Sequence, residues 1–526
     1  MEKRKVRKIR KHLFSNILSV LMLGLCGFLI YNIFILDIFP IVYFAIIAAI
    51  VGLVALIVFF IHIKPKKYKF FQFVSTLLVI VLFVSSAFGN YLLIKVPDMF
   101  ETLTSLGGVS DQNVSIYTMK EKNTMKLADL DGSVVGTIKI VDPVGTKEML
   151  KATSKKGVNF QEKDFESTLE LAQALYDGKV GSIILNSNYM DMILQFPEFA
   201  NFKEDTRRVF ALDFQKDSDL NAKSLKTNQM VPEPFTVLVS GNDALGELSE
   251  DAIDESMRSD ANLLITVNPQ TGTILMTSIP RDLYLEIGVD GYQGAMDKLT
   301  HTGLLGVSGT QQTIEKALGV EIDYVARVNF SSMIELVDAL GGVDLEISEK
   351  VAEEAQGNNP EETGADITFI KGPGMVHANG RQALDFSRER YCFTDGDLQR
   401  NANQQTVLKA IINKATQPST MLRYGKILDT VANVFRTNMP ADVMKSLIRF
   451  EIVAHPNWKF EKSAVMGVPT MEHCYLLGAV ASVVLPDYET MDSVALKIEA
   501  VLNGESADSV GIPAEEDVED VEEVIE

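Results

Sequence analysis

The sequence predicts a membrane-anchored α/β protein with three N-terminal transmembrane helices, a small α/β accessory domain and a larger α/β sandwich domain with a central β-sheet. Three observations predict it. Three lipid-length apolar stretches fall within the first 95 residues, β-rich runs then alternate with amphipathic helical runs, and one polar stretch divides that alternation in two.

Residues 13–36, 41–63 and 70–94 are each long enough to cross a hydrocarbon core, and none contains a charged residue. A cleaved signal peptide needs only one such stretch, and a shorter one. The head, residues 1–12, carries seven Lys or Arg, the KPKKYK loop between the second and third spans carries four, and the DIFP link carries none. By the positive-inside rule the head and the KPKKYK loop are cytoplasmic, so three spans place residues 96 onward outside the cell membrane. Residues 1–95 have a formal charge of +10, so the total of −21 leaves −31 on the exported part. That sign argues against nucleic acid, whose binding requires a basic face.

Residues 96–230 are expected to form the accessory domain, with strands at 114–118, 134–140 and 181–186. A helix is expected from about Glu162, with Phe165, Leu169, Ala172 and Tyr176 on one face and Asp177-Gly178 at its end. This pattern resembles the half-lobe of a periplasmic solute-binding fold, and it equally suits a spacer that binds nothing. The stretch DSDLNAKSLKTNQMVPE, 217–233, is polar and aperiodic and reads as a linker. The larger domain follows at 231–417, with FTVLVSG, NLLITV and TILMTSIP as buried strands and SSMIELVDAL and LQRNANQQTVLKAIINKA as helices. A helical extension is expected at 418–503, with helices near 419–436, 440–453 and 490–502 and a short β-like run at 475–485. The tail at 504–526 should be solvated, because ten of the 22 residues from Glu505 on are acidic and none is aromatic. Cys26 lies in the first span. Cys392 and Cys474 lie in the exported part, where one disulfide between them is expected to be able to form.

Charged residues gather at the expected strand ends of the larger domain: Asp243, Arg258, Asp260, Arg281, Lys298, Arg388, Arg390, Arg400 and, with them, Gln404. Ligands of open α/β sheets bind beyond the carboxyl ends of the strands. Several guanidinium forks beside two carboxylates suit a pyrophosphate and a divalent cation. His301 reads as a structural histidine, and no HExxH, GxSxG, Walker or GxGxxG pattern is present.

The order of these groups resembles the LytR-CpsA-Psr family of cell-wall phosphotransferases. The likeness is carried by VLVSGND, RSDANLLITVNPQTGTILMTSIPRD, DKLTHTG, TIEKALGVEIDYVARVNFSSMIELVDALGGVDLEI, GRQALDFSRER and GDLQRNANQQTVLKAII. The three spans and the added domain look most like the capsule-associated CpsA branch. The resemblance implies transfer of a glycopolymer, capsular or teichoic-acid-like, from an undecaprenyl-pyrophosphate carrier to peptidoglycan, with Mg²⁺ as cofactor and 231–417 as the catalytic domain. It implies that Asp243 and Asp260 hold the cation and, with Arg281, act in catalysis. Arg258, Arg281, Lys298, Arg388, Arg390, Arg400 and Gln404 would bind the pyrophosphate. The chain departs from the family pattern at Ala244, Leu245, Thr300 and Ala402. Two other readings stand beside this one: a membrane-anchored sensor of lipid-linked polymer, for which the short cytoplasmic parts offer no output domain, and a polyprenyl-pyrophosphate hydrolase.

Overall fold

The computed structural model describes residues 2–64, 68–106, 109–122, 124–194, 196–217, 231–242, 258–417 and 435–510, together with 220, 222–223, 225, 427 and 430. Asp243, most of the expected helix at 419–436 and residues 511–526 of the expected acidic tail lie outside the described residues.

Helices α1 (Glu2–Leu36), α2 (Ile41–Ile63) and α3 (Lys69–Leu103) are long and apolar enough to cross a membrane. Asn90 of α3 accepts a hydrogen bond from Asn32 at 2.7 Å and donates to the Leu25 carbonyl at 3.0 Å, so α1 and α3 share a polar clasp. At 35 residues α3 is about 50 Å long, well beyond a hydrocarbon core of about 30 Å. Its last turns therefore stand clear of the apolar layer.

The accessory domain is a five-stranded sheet ordered β3-β2-β4-β1-β5, from β1 (Val109–Met119), β2 (Val134–Thr137), β3 (Gln161–Asp164), β4 (Ser182–Asn186) and β5 (Thr206–Asp217). Helix α4 (Pro143–Lys155) packs Met149 on one face, against Val114, Ile116, Val135 and Ile184. On the other face α5 (Thr168–Tyr176) packs Leu171 and Leu175 against Ile183 and Leu185. Two boundaries differ from expectation. Residues 161–164 pair with β2 as an edge strand, and α5 starts only after Ser167, whose side chain caps the Glu170 N–H at 3.2 Å. Strand β2 stops at Thr137, because Asp142 caps the Gly145 N–H at 2.8 Å and starts α4. The expected helix end holds, with Gly178 at φ +68. Short helices α6 (Met190–Ile193) and α7 (Phe202–Asp205) complete this domain.

The larger domain has three layers. Its six-stranded sheet is ordered β14-β11-β6-β7-β8-β15, from β6 (Phe235–Asn242), β7 (Ala261–Asn268), β8 (Thr273–Ile279), β11 (Tyr324–Asn329), β14 (Phe435–Thr437) and β15 (Lys459–Ala464). Small strands β9 (Tyr284–Glu286) and β10 (Met296–Lys298) pair beside it, as do β12 (Val343–Ile347) with β13 (Gly374–Ala378), and β16 (Gly467–Cys474) with β17 (Ala479–Pro486). Residues α8 (Leu299–Thr302), α9 (Val307–Leu318), α10 (Phe330–Leu340), α11 (Glu349–Ala355), α12 (Pro360–Thr363), α13 (Gly380–Arg388) and α14 (Asp397–Ala415) supply the helices up to residue 415. After β14 come α15 (Ala441–Ala454) and, at the end, α16 (Tyr488–Leu502). Alternation along the strands sorts the core: Leu238, Leu264 and Leu275 face α9 and α16, whereas Leu263, Ile274 and Met276 face the layer containing α14. The expected helical extension is thus partly wrong. Residues 459–464 complete the central sheet, because Phe460 and Trp458 have an apolar face to cover.

Helix α15 joins this sheet to the membrane helices. Its Ala441, Met444 and Ile448 pack on Leu36, Ile38, Val96 and Phe100, and Arg449 pairs with Asp37 at 3.2 Å. Its Val443 and Leu447 pack beneath Phe235 and Tyr324, the first residues of β6 and β11. Strands β6, β8, β11 and β15 run the same way, so all four lead away from the membrane helices.

Candidate functional site

The far ends of these strands carry the charged cluster. Just before β7, Asp260 donates its N–H to the Gly241 carbonyl at 2.8 Å, which fixes it at the mouth of β6. Just after β8, Arg281 donates through Nη1 to Asp260 Oδ1 at 3.1 Å, and its Nε lies 3.5 Å from Asp282 Oδ2. Lys298 Nζ reaches the other Asp282 oxygen at 3.3 Å. The Thr300 hydroxyl donates to Asp260 at 3.3 Å, and its N–H to the Arg281 carbonyl at 2.8 Å. Thr300, one of the departures from the family pattern, thus binds the Asp260 carboxylate.

Arg388, Arg390 and Arg400 come from α13, the following turn and α14. Gly380 at the start of α13 lies against α10 so closely that a Cβ there would sit 2.2 Å from the Ile334 carbonyl oxygen. At the other end the α13 carbonyls, which no helical N–H satisfies, accept from α14: Asn403 donates to Phe386 O at 3.2 Å and Gln404 to Ser387 O at 3.5 Å. The last turn of α13, with Arg388, is thereby fixed beside Arg400. Gln404, expected on the pyrophosphate, also ties these two helices together. Asp397 pairs with Arg390 at 3.3 Å and with Arg400 at 3.4 Å, and Arg390 also stacks on Tyr391, 4.7 Å from the ring centre. Although burial works against its charge, the Tyr391 hydroxyl and Asp397 hold the Arg390 guanidinium above its ordinary pKa. Arg400 is pushed down, by burial first and then by the positive charges of Arg281 and Arg390, against the partial offset of Asp397 and Asp282. Asp397 bridges Arg390 and Arg400, and Arg281 lies near enough to lower the Arg400 pKa, so the three guanidinium groups gather in one region. The Nε of Arg400 is buried without a hydrogen-bond partner among the described residues.

Arg258 is part-buried, and its carbonyl accepts from Arg327 Nη2 at 3.3 Å. Arg327 was not expected at the site. Fully buried on β11, it donates to the Ser240 and Ser259 hydroxyls at 2.8 and 3.1 Å and props the segment bearing Arg258 and Asp260. An arginine inside the apolar run DYVARVNF was the available sequence signal. Asp282 was overlooked as well, although it directly follows Arg281.

For Mg²⁺ the donor set is suitable: Asp260 and Asp282 offer hard carboxylate oxygens on either side of Arg281. A second group of potential ligands, Asp297, His301 and Cys474, is buried with its atoms within 4.8 Å of one another. It is already knit together without an ion. His301 Nδ1 lies 2.6 Å from Asp297 Oδ1, the Leu476 N–H donates to Oδ2 at 2.6 Å, and burial, reinforced by Asp297, pushes the Cys474 thiol up to about 12. His301 is therefore the structural histidine expected, and the trio clips the β16–β17 hairpin to the loop bearing Lys298. The expected Cys392–Cys474 bridge is not formed, and both cysteines are free. Each packs in a different apolar cluster, Cys392 beside α13 and α14 and Cys474 between the hairpin and the accessory sheet.

A profile of the LytR_cpsA_psr family matches residues 208–466. The polyisoprenyl-teichoic acid--peptidoglycan teichoic acid transferase TagU of Bacillus cereus is 36% identical over 214 residues, 40% of this chain and 62% of the relative. That of Bacillus anthracis is 33% identical over 231 residues, 44% of this chain and 67% of the relative. The crystal structure of B. subtilis TagT aligns at 26% identity and a TM-score of 0.38, covering 52% of this chain and 91% of that one. The chain thus spans 62% of the length of the first of these curated relatives. With 33% identity across 67% of a curated relative, the family profile over the charged sheet and the arginine cluster at its strand ends, the chain belongs to the LytR-CpsA-Psr family.

Proposed function

We propose that this protein transfers a glycopolymer from a polyprenyl-pyrophosphate carrier to peptidoglycan on the outer face of the cell membrane. The observation that carries the reading is the convergence of Arg281, Arg390 and Arg400 on one place, beside Asp260 and Asp282. Arg388 and Arg258 border the same place on α13 and before β7, and Lys298 adds charge through Asp282. Planar guanidinium groups bind phosphate oxygens in pairs, which suits a pyrophosphate better than a single ammonium does. A sugar hydroxyl attacks the phosphorus nearer the glycan. The bond from that phosphorus to the bridging oxygen breaks, and prenyl phosphate departs with the electron pair, its charge stabilised by the arginines. Fixed charge and positioning supply most of the acceleration in such a reaction. Asp260 and, outside the described residues, Asp243 would hold Mg²⁺ with the pyrophosphate oxygens; the cation would supply further charge neutralisation. The proton of the attacking hydroxyl passes to whichever of Asp260 and Asp243 keeps an oxygen free of the cation. The relatives named as teichoic acid transferases favour a teichoic-acid-like polymer, whereas the three spans and the accessory domain favour a capsular one.

The test is transfer by the full chain in nanodiscs, with lipid-linked teichoic and capsular donors supplied separately and peptidoglycan as acceptor. Transfer from one donor that needs Mg²⁺ is expected, and transfer from neither would overturn the reading. Topology is checked separately. Alkaline phosphatase fused after Leu106 should be active and fused at Lys66 inactive, and the reverse would place the site on the wrong face.

A further inference from the structure

A polar groove of about 470 Å³ runs along α14, away from the arginine cluster. Gln399, Asn403, Thr406, Lys409 and Asn413 line it at helical spacing, so it follows one face of α14 for about 21 Å, beginning one residue before Arg400. Its opposite wall is β12, with Asp344 and Glu346, and Lys462 of β15 stands at its edge. Two carboxylates and two ammonium groups leave this lining formally neutral. The charges are also largely spent on one another: Lys409 pairs with Glu346 at 2.9 Å, and Asp344 with His377 at 2.7 Å and Lys414 at 3.8 Å.

This chemistry discriminates among the parts of the proposed reaction. A prenyl tail would strip water from amides and charges and give them no partners. A phosphodiester polymer would need a net positive lining, which this neutral groove does not offer. A neutral chain rich in hydroxyls and acetamido groups can both donate to and accept from Gln399, Asn413 and the Thr406 hydroxyl. Met375, exposed on β13, offers sugar rings an apolar surface. Resting on the proposed function, we propose that the α14 groove binds a neutral N-acetylated glycan strand, and that it seats the acceptor with its hydroxyl toward the arginine cluster.

Saturation-transfer NMR on the full chain in nanodiscs tests this, with tetra-N-acetylchitotetraose as the neutral probe and a glycerol phosphate oligomer as the charged one. Saturable binding of the neutral probe is expected, at least tenfold weaker in Thr406→Trp, which fills the groove, weakened in Met375→Ala and unchanged in Arg281→Ala. The charged oligomer should not displace it. Because Met375 is exposed, its variant keeps the test clear of misfolding. In transfer assays Thr406→Trp should raise the KM for acceptor and not for donor. The inference is overturned by equal probe binding in the wild type and both groove variants, by no saturable binding at all, or by displacement by the glycerol phosphate oligomer. Transfer that depends on Arg281 without any saccharide binding would sink the groove alone and leave the transferase reading standing.

Discussion

The two sheets of this protein are built from similar parts and differ in what stands at their strand ends. In the accessory sheet, the end of β3 carries Asp164, whose Oδ1 accepts from the Thr137 hydroxyl at 2.7 Å and the Lys139 N–H at 2.9 Å. At the end of β4, Asn186 donates to Gln112 at 3.1 Å, and the Asn186 carbonyl oxygen of the side chain accepts from the Asn188 N–H at 3.2 Å. These polar groups answer one another, so they stabilise turns and need nothing more. The large sheet instead brings guanidinium groups from just after β8, α14 and the turn after α13 close enough to repel, with Asp260, Asp282 and Asp397 shared among them and Lys298. Such an arrangement costs folding free energy and is worth keeping only for an anion that resolves it. Of two α/β layers, the one with guanidinium groups crowded at its strand ends is the one that the family profile covers.

Breaking that charge should have the largest effect. Arg281→Ala and Arg400→Ala should each lower transfer roughly 10²–10³-fold with little change in melting temperature, and combining them should cost far less than the product of the two. Lys at either position should rescue poorly, because an ammonium loses the paired donors. Transfer near wild-type rates in both Ala variants would erase the contrast between the sheets. Next comes the clip that holds the β16–β17 hairpin on β10. Asp297→Asn keeps the shape of a buried carboxylate that serves His301 and the Leu476 N–H, yet should destabilise the fold by about 2–3 kcal/mol, read by thermal or denaturant unfolding. Its effect on transfer should be smaller than that of Arg281→Ala.

The accessory sheet should respond in the opposite sense to the arginines. Asp142→Ala removes the cap of α4 and should lower stability by about 1 kcal/mol. Transfer measured well below the melting temperature should stay at the wild-type level, and a specific loss would give the accessory domain a part in catalysis. The smallest effect concerns acid. Glu461 on β15 is held below the usual glutamate range: burial opposes its charge, but Lys459, the Ser506 hydroxyl and the Ala507 N–H outweigh burial. A depressed carboxyl pKa contributes stability that is complete above the unfolded value of about 4.3 and lost as pH falls through the folded value. Glu461→Gln should therefore lower stability at neutral pH and flatten the loss below about pH 4, and an unchanged acid limb would show that Glu461 does not contribute to it.

Legibility in the sequence followed locality. The spans, the strands 235–242, 261–268 and 273–279 and the helices at 330–340 and 397–415 were readable because each depends on its own periodicity. Lys459–Ala464 was not, since its pairing with β8 joins residues nearly 190 apart and a six-residue run carries too little pattern to announce it. The arginines were legible through family spacing, and the structure brings Arg281, Arg390 and Arg400 together. Their supports were harder to see. Arg327 acts from inside a strand, Gln404 also serves a helix end, and Asp282 takes its meaning from Arg281 and Lys298 together. The disulfide failed as an inference because two cysteines in one compartment say nothing about their separation.

The placement of α15 beneath the strand starts has an energetic consequence for a substrate anchored in lipid. Seven residues of β8 at about 3.3 Å each stand the arginines about 20 Å above the base of the sheet. A pyrophosphate whose tail remains in the bilayer arrives there only if part of that tail is drawn out after it. In water each extracted methylene would cost about 0.8 kcal/mol, and Leu263, Ile274 and Met276 of the sheet are already covered by Leu408, Trp458 and Phe460, so the cost would grow with the length drawn out. The height of the sheet then acts as a molecular ruler. A carrier too short to span it would leave its phosphates below the guanidinium groups, so chain length becomes a condition for reaction even though no bond in the tail is ever made or broken.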